Sequence, residues 1–317
     1  MKKRVLITLI LSILCILNVF SSENTTNINY SKEVGKMSTQ TVFKTEEGRQ
    51  KILSVYDMIM STWQVEYKDQ YIDTSFGTTH LIECGDPSKE QILLFHGSSS
   101  NSLMWLTDMV ELSQHFHVYS VDILGEAGKS DPVRLNLHNS DYSEWVKELL
   151  IKLNIQKTQL LGNSLGGWVS LKFATTCPDA VSKMVLIAPS GITEVKPSFM
   201  ETMMTCAMKG PEGMLELNKM IYGVNELPQQ VIDFTNLVME NFNPIVEALP
   251  LFPSEVLQKL TMPVLYIAGE NDILFDSQKA AEILRENCKN AISRIIKNNG
   301  HVVYNTMDMV IPFLKEK

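Results

Sequence analysis

Residues 158–168 read TQLLGNSLGGW, and the fold is decided there. Leu160 and Leu161 form a short apolar run that enters Gly162-Asn163-Ser164-Leu165-Gly166, and a helix-compatible segment follows from Gly167 to Thr176, ended by Cys177 and Pro178. The order predicted is strand, sharp turn, helix, with a serine at the turn. To lift a hydroxyl clear of a sheet the turn must be so tight that side chains two residues before and after the serine would collide, which accounts for Gly162 and Gly166. Ser164 then stands at the start of a helix, where main-chain N–H groups can meet an oxyanion.

Outward from this turn, strands and helices alternate. Ile92 to Phe95 and Val118 to Ile123 read as buried strands. Ser102 to His115 and Asp141 to Leu153 read as amphipathic helices, the second capped by Asp141. Met184 to Ala188, Val264 to Ala268 and Ile292 to Ile296 read as further strands, with helices over Asp276 to Cys288 and His301 to Lys317. Ahead of them, Glu46 to Trp63 has helical spacing, and Gln64 to Gly85 reads as a hairpin turning at Ser75-Phe76-Gly77. Strands alternating with helices predict a parallel sheet covered on both faces.

The rhythm breaks between Pro189 and Met262, where prolines punctuate a methionine-rich stretch containing Met200, Met203, Met204, Met208, Met214, Met220 and Met239. Several short helices are expected, forming a lid (192–260) over the C-terminal ends of the strands between two core segments, 44–191 and 261–317. Most of these methionines are expected to fill a helical core, and a few to face a pliable apolar pocket.

The chain of 317 residues is 44% hydrophobic, enough for one large domain with an inserted subdomain. Its formal charge is -8, and -11 without Lys2, Lys3 and Arg4, a balance that argues against nucleic-acid or anionic-membrane partners. Those cations precede an apolar run from Val5 to Phe20 and then Ser21 and Ser22, so residues 1–22 read as a signal peptide. An N-terminal membrane anchor through residues 5–20 is the alternative, and either implies export, secreted or tethered at the outer face. Residues 23–43, rich in Asn, Ser and Thr, are expected to be a flexible tether. Cys84, Cys177, Cys206 and Cys288 show no metal-ligand spacing and are taken as free or structural; no metal is expected. Gly128-Lys129-Ser130 resembles the end of a phosphate-binding loop, but Ile123 stands where its first glycine belongs.

A nucleophilic serine needs a base, and the base needs an orienting acid. His301, in Asn298-Asn299-Gly300-His301 directly after the last strand, is the histidine with a suitable setting. His80, His115, His117 and His138 are expected to be ordinary surface or packing residues. Asp272 follows the strand Val264 to Ala268 and gives the order serine, aspartate, histidine; Glu270 and Glu194 are its competitors. The small residues of His96-Gly97-Ser98-Ser99-Ser100 let a backbone approach the substrate. The N–H groups of Ser98 and Leu165 are therefore assigned to an oxyanion hole, with Gly97 and Ser99 as further substrate contacts.

With HGSSS, VDILGEAGKSDP, GNSLGG, GENDILF and NNGHVV in register from about Gln64 to the C-terminus, the sequence resembles the α/β-hydrolases with a helical lid. The resemblance implies an α/β-hydrolase fold, a mostly parallel sheet flanked by helices, with Ser164 as nucleophile, Asp272 as acid, His301 as base and His96-Gly97-Ser98 as oxyanion loop. Asp122, Gly125, Gly128 and Ser130 match a loop that is mainly structural in the family. A serine at the elbow excludes the aspartate-dependent dehalogenases and epoxide hydrolases and the cysteine-dependent dienelactone hydrolases. Val302, Val303 and Tyr304 after the histidine, and serines in the oxyanion loop, favour a carboxylesterase acting on a small-molecule ester without cofactor. A carbon–carbon bond hydrolase and a non-catalytic binding protein are the alternatives.

Overall fold

The computed structural model describes residues 41–316. The leader read at residues 1–22 and most of the tether lie outside the described residues. Among those described, no helix is long and apolar enough to cross a membrane.

The described chain opens with α1 (Glu46–Thr62), capped by Thr45, whose hydroxyl accepts the Gly48 N–H, with Glu46 and Glu47 in the first turn. The hairpin β1 (Tyr67–Thr74) and β2 (Gly77–Cys84) follows. Next come β3 (Gln91–Phe95), a 3-10 turn (Ser102–Trp105) continuous with α2 (Leu106–Leu112), β4 (His117–Val121) and α3 (Asp141–Lys152). The central unit is β5 (Thr158–Asn163), α4 (Leu165–Thr176) and β6 (Val181–Ile187). An excursion holds α5 (Pro197–Met208), α6 (Gly210–Tyr222), α7 (Gln229–Asn241) and the short α8 (Ser254–Leu257). The chain then returns through β7 (Val264–Gly269), α9 (Ser277–Asn287), β8 (Ala291–Ile296) and α10 (Met307–Lys315).

The eight strands form one sheet in the order β1-β2-β4-β3-β5-β6-β7-β8. The hairpin edge is antiparallel, and the pairings from β4 through β8 are parallel. Strands β4 and β5 are buried at every position, as strands covered on both faces should be. On one face α3, α4 and α9 pack Tyr142, Trp145, Trp168 and Leu284 against the sheet; on the other, α1, α2 and α10 contribute Ile52, Tyr56, Met109 and Val310. The sheet thus puts the C-terminal ends of β3, β5, β7 and β8 side by side, and loops from those ends build the site.

Three local expectations give way. The last helix starts at Met307, because His301 to Thr306 is a loop whose Asn305 holds a positive φ of 54°. Asp141 is the first helical residue and Ser140 its cap, so the Asp141 carboxylate instead accepts the Asn136 N–H. Four methionines of the excursion, Met200, Met204, Met208 and Met220, are exposed, Met208 at 89%. Met203 and Met214 join the excursion's own core with Phe199, Leu217, Ile221 and Val231, and the half-buried Met239 packs against it. Composition predicts helices here but not which face a methionine takes.

The last residues of the expected tether are firmly packed. Val42 and Phe43 are buried, Phe43 forms an antiparallel bridge with Phe242, and Asn243 donates its N–H to the Val42 carbonyl at 2.9 Å. Lys44 donates its N–H to the Asn241 carbonyl at 2.9 Å, closing a fastening between the start of the fold and the end of α7.

Candidate active site

Ser164 sits between β5 and α4 with φ 49° and ψ -110°, a conformation that costs an L-residue on the order of 1–3 kcal/mol. Three main-chain hydrogen bonds hold it there: its N–H donates to Ile187 (2.9 Å), and its carbonyl accepts from Trp168 and Ser190 (3.1 Å each). The flanking glycines are required by close backbone approach. A Cβ on Gly162 would collide with the Gly166 carbonyl, and one on Gly166 with the carbonyl of Phe95 at the end of β3. The first clash is the tight turn itself; the second is α4 pressed against the neighbouring strand. The helix starts at Leu165, earlier than the expected Gly167, so the Leu165 N–H belongs to the first turn, where helical N–H groups have no intrahelical partner.

His301 brings its Nε2 to 3.2 Å from the Ser164 Oγ and its Nδ1 to 2.8 Å from Asp272 Oδ2. Asp272 and His301 are almost wholly buried, whereas Ser164 is half-buried and reachable. The second carboxylate oxygen of Asp272 accepts the N–H groups of Leu274 (2.7 Å) and Phe275 (3.1 Å). Burial by itself would push this carboxyl up, but the adjacent imidazole and the two N–H donors outweigh it and hold the group below its ordinary value. It therefore remains an anion aimed at Nδ1. Glu270 is exposed and accepts only the Asn298 N–H, at 3.3 Å, and Glu194 is exposed, so neither competitor takes Asp272's place.

The loop after β3 lies against the serine. A Cβ built on Gly97 would stand 2.9 Å from Asn163 Oδ1 and 3.8 Å from the Ser164 Cβ, so a side chain here would displace the Asn163 amide beside the serine. His96 fixes the loop from below. Its Nδ1–H donates to the Gly97 carbonyl (2.7 Å) and its Nε2 accepts the Ile123 N–H (2.9 Å), and burial holds the imidazole below its ordinary value, in the neutral form those two bonds require. Ser98 and Ser99 are buried in the same loop, Ser99 with φ 54°. The Ser99 N–H is already committed to Glu126 Oε2 at 2.5 Å and its hydroxyl is buried away from solvent, so the structure turns neither group toward open space for a substrate.

Glu126, Lys196 and Ile221 shape the site without having been singled out from sequence, and Asp122, read there as part of a structural loop, takes a larger part than that reading gave it. Glu126 anchors the loop after β3 through Ser99, and burial pushes its carboxyl up to about 8. Asp122 is a hub: Oδ1 accepts the Ser102 N–H (2.7 Å), and Oδ2 takes the Lys129 N–H (2.8 Å) and the ring of His80 (2.8 Å). His80 is thus fully buried between Asp122 and Asp69, not an ordinary packing residue; burial opposes its charge, and the two carboxylates raise it. His117 is also buried and bonded to Glu83 at 2.8 Å, while His138 is exposed. Lys196 donates its Nζ to the Asp272 carbonyl at 2.6 Å. The histidine loop rests on α6: Ile221's carbonyl accepts the His301 N–H, and the Tyr304 hydroxyl donates to the Tyr222 carbonyl at 2.9 Å. Among the described residues no cluster could hold a metal ion, and Cys84, Cys177, Cys206 and Cys288 are unpaired thiols.

Comparison with known proteins agrees with this architecture. Residues 92–311 match the model of a family described as the alpha/beta hydrolase family. The carboxylesterase nap of Bacillus subtilis (strain 168), itself described as uncharacterized, is 30% identical over 78% of this chain and 85% of its own. Carboxylesterase YbfK of the same organism is 28% identical over 82% of this chain and 90% of its own. The crystal structure of naproxen esterase from Bacillus subtilis superposes with a TM-score of 0.76 at 25% identity, covering 86% of this chain and 100% of that one. On the family match and on these relatives, the chain belongs to the alpha/beta hydrolase family.

Proposed function

We propose that this protein is a serine hydrolase that cleaves carboxylic esters of small or apolar substrates through an acyl-enzyme. The observation that carries the proposal is the unbroken line from Asp272 through His301 to the Ser164 hydroxyl, with separations of 2.8 and 3.2 Å. His301 Nε2 takes the hydroxyl proton as Ser164 attacks the ester carbonyl. The N–H groups of Ser98 and Leu165 receive the developing oxyanion, Gly97 leaves room for it, and Asp272 holds the imidazolium in place. His301 then protonates the leaving alcohol, and water, deprotonated by the same nitrogen, releases the acid. The serine supplies the nucleophile, so no step calls for a cofactor. The names of the two Bacillus subtilis relatives support an ester as substrate over other acyl compounds.

The helices between β6 and β7 act in this proposal as a lid over the serine, with an apolar interior that suits an apolar acyl or alcohol group. Export through residues 1–22 belongs to the same reading; N-terminal sequencing of protein recovered outside the cell tests it. For the reaction, a fluorophosphonate probe should form its adduct on Ser164, and Ser164→Ala should abolish both adduct and turnover of p-nitrophenyl esters. A Ser164→Ala protein that kept most of its activity would overturn the assignment.

A further inference from the structure

Along α4, one turn and more beyond Ser164, a groove of about 540 Å³ opens between that helix and the segment leading into α8. This volume falls within the range of small-molecule pockets, roughly 300–1,000 Å³. Its walls are mostly apolar: Phe252, Pro253 and Val256 line it, with Trp168 beneath. Trp168 is fixed, fully buried and donating its indole N–H to the carbonyl of Pro250 at the rim (2.9 Å). Two cations, Lys172 and Lys259, also line the groove, and no carboxylate does.

Most lysines of the described chain face no carboxylate at ion-pair distance, and Lys172 is set apart from them by its partial burial over an aromatic ring. Lys129 and Lys209, by contrast, sit 2.7 and 2.8 Å from the carboxylates of Asp57 and Glu216. Lys172 is half-buried, and its ammonium lies 5.6 Å from the centre of the Trp168 ring, a weaker partner than a carboxylate. Burial without an anion accordingly holds the Lys172 ammonium below its ordinary value, whereas carboxylates raise Lys51, Lys129 and Lys209. An anion placed at Lys172 would relieve that desolvation, and an apolar body joined to it would cover Phe252 and Val256.

We infer that this groove is a binding site, separate from Ser164, for a small amphipathic carboxylate, its anion between Lys172 and Lys259 and its apolar body against Phe252, Pro253 and Val256. The site connects to the serine by a short route. Trp168 lies one helical turn beyond Ser164 on α4, and a Cβ on Gly191 would press on both Trp168 and Phe252, next to Ser190, whose N–H holds the Ser164 carbonyl. A carboxylate in the groove therefore packs on the scaffold of the nucleophile without entering its pocket.

The test uses the full chain, labelled with nitrogen-15 and titrated with naphthalene-2-carboxylate. The four tryptophans, Trp63, Trp105, Trp145 and Trp168, each give one indole N–H signal, and Trp168→Phe identifies the relevant one. The expected result is saturable movement of the Trp168 signal while the other three stay in place. Lys172→Met should weaken binding about tenfold, as loss of a charge-assisted bond does, and naphthalene-2-methanol, similar in shape but uncharged, should bind weaker by about the same factor. Lys172 is half-buried and bears no structural hydrogen bond through its ammonium, and unchanged dispersion of the other signals verifies that the variant folds. Movement of the Trp105 signal in place of Trp168, equal affinity for acid and alcohol, undiminished binding to Lys172→Met, or no saturable shift would each overturn the inference.

Discussion

The main-chain N–H of His301 is donated to the carbonyl of Ile221, 2.8 Å away, in the last turn of α6. The proposed general base is thereby attached to the proposed lid. The contact is made backbone to backbone: a Cβ on Gly223, which has φ 65°, would collide with the Gly300 N, and one on Gly300 with the Ile221 carbonyl. The stacked rings of Tyr222 and Tyr304 close the joint.

Tyr304→Phe removes one hydrogen bond of this joint and leaves the stacking. A bond of about 1 kcal/mol is lost, so turnover of a p-nitrophenyl ester should fall about fivefold with KM little changed. Steady-state kinetics check the split; a change confined to KM would mean that the loop is held without it. Gly223→Ala is the harsher change, combining a positive φ with a backbone clash, and should cost about 2 kcal/mol or more in denaturant unfolding.

Asp272→Asn should lower kcat by about 10⁴-fold. The amide can keep only one set of partners, because its NH2 end must face either the Leu274 and Phe275 N–H groups or the donor nitrogen of His301. The wild-type carboxyl lies below its ordinary value when folded, so its contribution to stability is fully present above about pH 4 and is lost as pH falls through the folded value. Acid unfolding followed by circular dichroism should show that loss in the wild type and a flatter profile in Asp272→Asn.

Glu126 has the opposite sign. Its folded carboxyl is pushed up to about 8 from an ordinary 4.5, so the folded state holds the extra proton between those values and stability falls as pH rises through that window. Glu126→Gln retains an oxygen for the Ser99 N–H and removes the titration. Its melting temperature should overtake that of the wild type between pH 5 and 8, a difference read directly from thermal melts at several pH values.

At the elbow, Gly166→Ala places a methyl group against the Phe95 carbonyl. Neither α4 nor β3 can retreat, since both are buried in the core, so the expected loss is about 3 kcal/mol or more, measured by urea unfolding. Ser164→Ala, in contrast, should leave stability unchanged or raise it, because activity and not stability depends on the hydroxyl.

What could be read from sequence was chiefly local. Gly162, Gly166 and Gly97 announce close backbone approach by their spacing, and Asp272 and His301 each follow a recognisable strand, so the serine, aspartate and histidine were legible one turn at a time. Glu126, Ile221 and Gly223 were not, because their roles exist only after strands far apart in sequence have been brought together. Glu126 is an acidic residue in a run of small buried residues, a hint of a partner without its identity. His80 looked ordinary for the same reason: Asp122 is 42 positions away. The loop His301 to Thr306 has the apolar look of a helix start, and only its seat on α6 and the positive φ of Asn305 show why it is not one.

The bridge from Phe43 to Phe242 makes the beginning of the described chain and the end of α7 one mechanical unit. Tension applied at residue 41 would reach the proposed lid through this clasp, via the Val42 and Asn241 carbonyls, without having to pass along the sheet. Trimming the chain as far as Phe43 would release the same clasp. A pull or a trim at the start of the described chain is thus felt first at the helices of the proposed lid and only afterwards by the sheet.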